Sequence, residues 1–213
     1  MSRFVYQPGK SNIANEKKTC MTYKEYHSYF ESILQKDLSE QEAPYDNPDY
    51  LDYTKLNFSR MNRWFKTGKM QETLLQTLAG ITAPQQWIVI TEPWCGDAAH
   101  NIPFIEMAAA SNPNITVSYV LRDTEPTIID QYLTNGTKSI PKLIVRDAQG
   151  NDLTTWGPRP AACQTVYTSL LQEKADFSRV KLEIQNWYNA NKGVDVQEEL
   201  RQVFSKLTVP SAS

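Results

Sequence analysis

The spacing of apolar positions changes character along the chain. From Thr22 to about Ala83 it is helical. Tyr23, Tyr26, Phe30, Ile33 and Leu34 fall on one helix face. Thr22 and Glu25 form a capping-box pair ahead of them, which predicts a helix over about 22–36 with an aromatic stripe that serves the core. Asp37 to Asp49 is acidic, holds two prolines and reads as a loop. Phe58, Met61 and Phe65 mark one side of a helix from Tyr50 to Lys66, with Gly68 expected as a left-handed cap. Met70, Leu74, Leu75 and Leu78 mark a short third helix, stopped by Gly80 and Pro84.

At Gln86 the pattern becomes that of a strand. Trp87 to Ile90 is a continuous apolar run, as a central strand covered on both faces requires. A helix over about 96–110 follows, with Pro103 inside it as a predicted kink. Ile115 to Leu121 alternates as a second strand, and the strand–helix–strand order implies a parallel crossover. Thr124 to Leu133 reads as a short helix opened by Pro126. Lys142–Arg146 and Asp152–Trp156 predict a hairpin. Helices are then expected from Pro160 to about Glu173, from Ser178 to Asn191, and over Val196–Leu207. Residues 1–18 are polar, with a Pro8-Gly9 turn signal, and read as an arm.

The fold class is therefore α/β, a mixed sheet of about four strands flanked by helices. Three segments are expected to form one compact body: a helical extension over 1–85, a core over 86–175 and a C-terminal helical extension over 176–213. The expected strand order is Ile115–Leu121, Trp87–Thr91, Lys142–Arg146, Asp152–Trp156.

Charge and composition narrow the function. A net charge of −2 gives no electrostatic reason to expect nucleic acid or an anionic membrane surface. No window approaches the ~18 apolar residues of a membrane span. The first 18 residues lack the apolar core of a signal peptide. Three scattered cysteines, Cys20, Cys95 and Cys163, fit a reducing cytoplasm better than a disulfide-stapled fold. His27 and His100 have no metal-ligand company, so neither metal nor cofactor is expected, and His100 reads as surface or core filler.

Cys95 is the sharpest chemical candidate. It lies at a strand-to-helix turn, where free helix N–H groups and the positive dipole end favour a thiolate. Trp94 offers a flat wall beside it. Asp97 acts in opposition: its charge stabilises the first helical turn but raises the pKa of the neighbouring thiol. A thiolate here would attack a disulfide and form a mixed disulfide.

Trp94-Cys95-Gly96-Asp97-Ala98 resembles the Trp-Cys-Gly-x-Cys motif of the thioredoxin family, with Ala98 in place of the second cysteine. Ser139-Ile140-Pro141 resembles that family's cis-proline loop, and Gly157 falls where its last strand ends near the same thiol. The eight-residue interval from Cys95 to Pro103 also matches its kinking proline. The resemblance covers about Trp87 to Glu173. The flanks resemble bacterial thioredoxin-like proteins that carry a Trp-Cys-Gly-Asp motif inside a helical extension.

The resemblance implies thiol–disulfide exchange with a thiol- or disulfide-bearing protein or a small thiol. Ile140 and Pro141 would then present backbone to the partner, and Gly96, Gly157 and Arg159 would rim it. Ala98 cannot resolve a mixed disulfide. That leaves resolution by an external thiol, resolution by Cys20 on a mobile arm or by Cys163, or a scaffold that binds without turnover. The family's buried acid corresponds here to Val89; Glu92, nearer the turn, reads as its substitute or, by preference, as a solvated charge. Arg159 reads either as a partner for thiolate or acidic ligand or as a surface arginine. Gly157-Pro158-Arg159 lacks the paired glycines of a glutathione-binding loop.

Overall fold

The computed structural model describes residues 20–125 and 127–208; the polar arm and Pro126 lie outside the described residues. Helix α1 (Tyr23–Gln35) opens as the sequence dictates: the Thr22 hydroxyl accepts from the Glu25 N–H, and the Glu25 carboxylate accepts from the Thr22 N–H at 2.7 Å. Its face buries Tyr26, Phe30 and Ile33. Helix α2 spans Pro48–Thr67 and starts two residues before Tyr50, because Asn47 caps it and Pro48 suits the first turn. Gly68 is not a left-handed cap: its φ is −64°. It is small because a Cβ there would meet the Trp64 carbonyl oxygen at 2.6 Å. Helix α3 spans Glu72–Ala79.

The sheet has the expected order. Strands β1 (Gln85–Thr91), β2 (Ile115–Leu121), β3 (Lys142–Asp147) and β4 (Asp152–Trp156) are arranged β2-β1-β3-β4. β1 pairs parallel with β2 and antiparallel with β3, so Val89 sits between Tyr119 and Leu143. β4 adds antiparallel to β3, with a register shift at Val145 and Arg146. Residues on both faces of β1 are buried, which explains its unbroken apolar run.

Helix α4 (Gly96–Ala110) runs from the end of β1 and continues through Pro103. Between β2 and β3 the expected helix shrinks to a single 3₁₀ turn, Ile128–Gln131. It stops because the Tyr132 hydroxyl is held by Asp152 and Arg146, and the Tyr132 backbone turns away from helix at φ −128°. Helices α5 (Ala161–Gln172), α6 (Phe177–Asn191) and α7 (Val194–Thr208) complete the chain. Lys192 and Gly193 turn between the last two at positive φ. A Cβ on Gly193 would also strike the Phe104 ring.

Both ends of the described region are packed against the sheet. Met21 pairs with Tyr119 on the β2 edge through bonds of 2.8 and 2.7 Å, and Tyr26 stacks on the Tyr119 ring at 5.2 Å. Phe204 of α7 stacks on Trp87 of β1 at 4.6 Å, both fully buried. Glu199 of α7 accepts from the Trp156 indole at 2.7 Å and from the Ala161 N–H at 2.6 Å. One buried apolar cluster includes residues from Tyr26 to Phe204.

Truncating Phe204 to alanine should therefore act on the sheet itself. The expected loss is about 3–5 kcal/mol in urea unfolding. Far-UV circular dichroism and tryptophan fluorescence should report one coincident transition, and an early separate loss of helix signal would contradict this.

Candidate functional site

β1 ends at Thr91 and the chain turns so that the Cys95 N–H donates to the Glu92 carbonyl at 3.0 Å. Asn57 of α2 clamps this turn by donating to the Pro93 carbonyl at 3.2 Å. Cys95 then becomes the N-cap of α4, its sulfur accepting from the Ala98 N–H at 3.4 Å. The thiol donates to the Ile140 carbonyl at 3.3 Å, and the Ile140–Pro141 peptide is cis. The sulfur is thus fixed between a helix terminus and the proline loop.

That position does not produce a thiolate. The residue is 7% exposed, and burial pushes the thiol up to about 12. The Asp97 charge adds to this; the Ala98 N–H and Arg159 oppose it without reversing it. The expectation of a lowered thiol pKa is corrected here, because the cost of a buried charge outweighs the helix terminus. The opposing effect assigned to Asp97 acts in the direction expected.

Asp97 is held by two partners. Arg159 donates to it through Nε at 3.1 Å and Nη2 at 2.5 Å, and the Tyr188 hydroxyl of α6 donates at 2.7 Å. Arg159 is 14% exposed and also bonds Gln164 at 3.1 Å. It is neither a surface arginine nor a cation devoted to the thiolate. Asn101, fully buried, donates to the Tyr188 hydroxyl at 3.0 Å and extends the network.

The remaining titratable groups depart from expectation at two places. Glu92 is not a solvated charge. It is 6% exposed, and burial raises its carboxyl to about 7, against the bond it accepts from the Asp123 N–H at 3.1 Å. Cys20 is not on a mobile arm: it packs on the core beside Met21, which is bonded to the β2 edge. Cys163 is fully buried, and burial followed by the Asp97 charge pushes its thiol up to about 12.

His100 is core. The Trp64 indole N–H donates to its Nδ1 at 2.8 Å, so Nε2 carries the proton and faces the Gln185 carbonyl at 3.1 Å. Its ring stacks on Tyr188 at 4.3 Å, and burial lowers it to about 3. Among the described residues no group of three His, Cys, Asp or Glu side chains is placed to hold a metal.

A cleft of about 640 Å³ opens over the sulfur. Trp94, Cys95, Gly96, Asp97, Ile140 and Arg159 line it; Pro141 and Gly157 do not. Gly157, at φ +114°, packs on the Pro141 carbonyl, and the buried Lys142 amine holds the Gly157 carbonyl at 3.2 Å. The walls come from residues the motif search missed. Tyr53 of α2 places its hydroxyl where a Cβ on Gly96 would stand, and Tyr50 meets the Trp94 ring edge-on at 6.2 Å. Phe177 and Lys181 of α6 form the other side. Tyr50 and Tyr53 share α2, Phe177 and Lys181 share α6, and for the three aromatics the visible signal was an aromatic at an otherwise polar helix position.

Glu92 yields a pH prediction with a definite sign. Its folded pKa lies above its unfolded one, so the fold loses stability as pH rises from about 4.5 through 7. Glu92→Gln should remove up to ~3 kcal/mol of that loss. Urea midpoints of the two proteins should converge near pH 4.5 and separate toward pH 8, with the variant more stable; parallel curves would contradict the burial argument.

A family model described as Thioredoxin matches residues 44–175, beginning within the helical region that precedes β1. Among curated proteins none matches. A crystal structure of the Pseudomonas aeruginosa protein PA1234, of unknown function, has a TM-score of 0.54 at 16% identity. The alignment covers 88% of this chain and 99% of that one. An HIV epitope-scaffold has a TM-score of 0.51 at 16% identity, covering 87% and 99%. These likenesses concern the fold, and no helix among the described residues is long and apolar enough to cross a membrane.

Proposed function

Since the chain belongs to the thioredoxin family, we propose that it is a thiol–disulfide exchange protein acting through Cys95 alone, in a reducing cytoplasm. The observation that carries this reading is the Cys95 sulfur in the cleft lining, bonded to the carbonyl that precedes the cis Pro141. Ala98 donates a backbone N–H to that sulfur but offers no second thiol. Cys163 is sealed in the core, so resolution falls to an external small thiol.

The thiol's chemistry sets the rate. At pH 7 a thiol near 12 is ionised to about one part in 10⁵, against a few per cent for an ordinary cysteine. The more basic thiolate is intrinsically more nucleophilic and recovers nearly half of the logarithmic loss. The net handicap is roughly 100-fold. This supports a slow exchanger whose rate follows pH. The same raised pKa favours a second reading, a binding module that keeps the cleft and does not turn over.

Alkylation of Cys95 by iodoacetamide, against a Cys95→Ser control, separates the two. Its rate should climb about tenfold per pH unit with no plateau through pH 9. Asp97→Asn, which leaves the Arg159 cation facing the thiol, should speed alkylation about tenfold at pH 8. A model disulfide should be reduced by the protein when a small thiol is added. If neither wild type nor Asp97→Asn exchanges at pH 9, the binding module is the function.

A further inference from the structure

Resting on that exchange reading, we propose that the cleft takes a small disulfide or thiol bearing a carboxylate, with its sulfur at Cys95 and its carboxylate at Lys181. A cleft of about 640 Å³ falls in the range of small-ligand sites, ~300–1,000 Å³. It is walled by α2 on one side and α6 on the other, so both helical extensions take part in it.

Four cations line the cleft: Arg122, Lys138, Arg159 and Lys181. Three are already matched, Arg122 to Asp123 at 2.7 Å, Lys138 to Asp130 at 2.8 Å and Arg159 to Asp97 at 2.5 Å. Lys181 has no carboxylate within ion-pair distance among the described residues. Its ammonium instead rests 4.9 Å from the Phe177 ring and 5.4 Å from the Tyr53 ring. Those contacts hold a half-buried amine at the mouth with its charge unspent. Asp49 of α2 also lines the cleft and would repel a carboxylate placed beside it.

Phe177 is 73% exposed and lines the cleft together with Trp94 and Tyr53. A short carbon chain between sulfur and carboxylate would cover it. The chemistry balances: the Cys95 sulfur bonds to one sulfur of R–S–S–R and is oxidised. The other sulfur leaves as R–S⁻, is reduced, and takes up the proton lost by Cys95. A second small thiol then attacks the mixed disulfide, leaves as R–S–S–R′ and returns the proton to Cys95.

Three disulfides of similar length test this at pH 8: 3,3′-dithiodipropionate (anionic), 2-hydroxyethyl disulfide (neutral) and cystamine (cationic). Intact mass spectrometry would follow adducts on Cys95. The anionic compound should react about fivefold or more faster than the neutral one. Lys181→Glu should abolish or invert that preference, read as the ratio of the anionic to the neutral rate within each protein. An unchanged preference in Lys181→Glu, a neutral or cationic favourite, or faster exchange with the disulfides of folded insulin would overturn the proposal. Failure of the exchange reading looks different: no disulfide would form an adduct. In that case calorimetric binding of 3,3′-dithiodipropionate to Cys95→Ser, lost in the Lys181→Glu double variant, would sustain the carboxylate site, and its absence would end it.

Discussion

A carboxylate buried two residues after the cysteine governs this site. Asp97 is nearly out of solvent, and an ionised group there is tolerated only when paired and fully hydrogen-bonded. Arg159 supplies the charge and Tyr188 a further donor. These two residues lie beyond the sheet, on the segment after β4 and on α6. Removing one partner of such a pair typically costs about 3–5 kcal/mol, so the C-terminal region is bound to the motif turn. The same pairing directs the guanidinium at Asp97, which leaves little positive potential for the sulfur. The pairing that holds the cleft wall therefore adds to burial, the larger cause, in keeping the thiol neutral.

Burial also sets the order of the two acids near the turn. Glu92 titrates near 7 and the Cys95 thiol near 12, so moving the thiol's proton to Glu92 is uphill by about 7 kcal/mol. The resting state is a neutral thiol, donating to Ile140 and accepting from Ala98. Both bonds suit S–H; ionisation would forfeit the first and strengthen the second. On the proposed function, a substrate has to meet this thiol in its neutral form, and the fraction ionised limits the rate.

Strand order and nearly every helix were legible because their signals are local. The Trp87–Ile90 run, the Thr22 and Glu25 cap, and the period of each amphipathic face are read within a few residues. The motif turn and the proline loop could be read as well, since each is a short sequence. What could not be read was burial at the turn. Nothing near Glu92 in the sequence says that α1, Tyr45 and the segment after β2 close over it. Arg159 was left between two roles because its partner stands 62 residues away. Gly68 misled because glycine suits two purposes, a left-handed cap and a close contact, and only packing against Trp64 decides between them. The helix expected over Thr124–Leu133 failed for a similar reason, since a long-range bond at Tyr132 overrode local propensity.

The basicity of the sulfur has a consequence for the fate of a mixed disulfide. In thiol–disulfide exchange the less basic thiolate leaves faster. Between Cys95, near 12, and an ordinary small thiol, near 8.5, the small thiolate is the better leaving group by more than three logarithmic units of acidity. An incoming thiol therefore regenerates free Cys95 only by expelling the poorer leaving group, whereas attack on the Cys95 sulfur merely swaps one adduct for another. Access opposes that swap, because the Cys95 sulfur is recessed and a captured sulfur would lie toward the cleft. Attack then falls on the exposed sulfur and release is slow. On the proposed function, a family member that has alanine where a second thiol would sit is thereby suited to holding a captured thiol for long periods, within the cleft that α2 and α6 line.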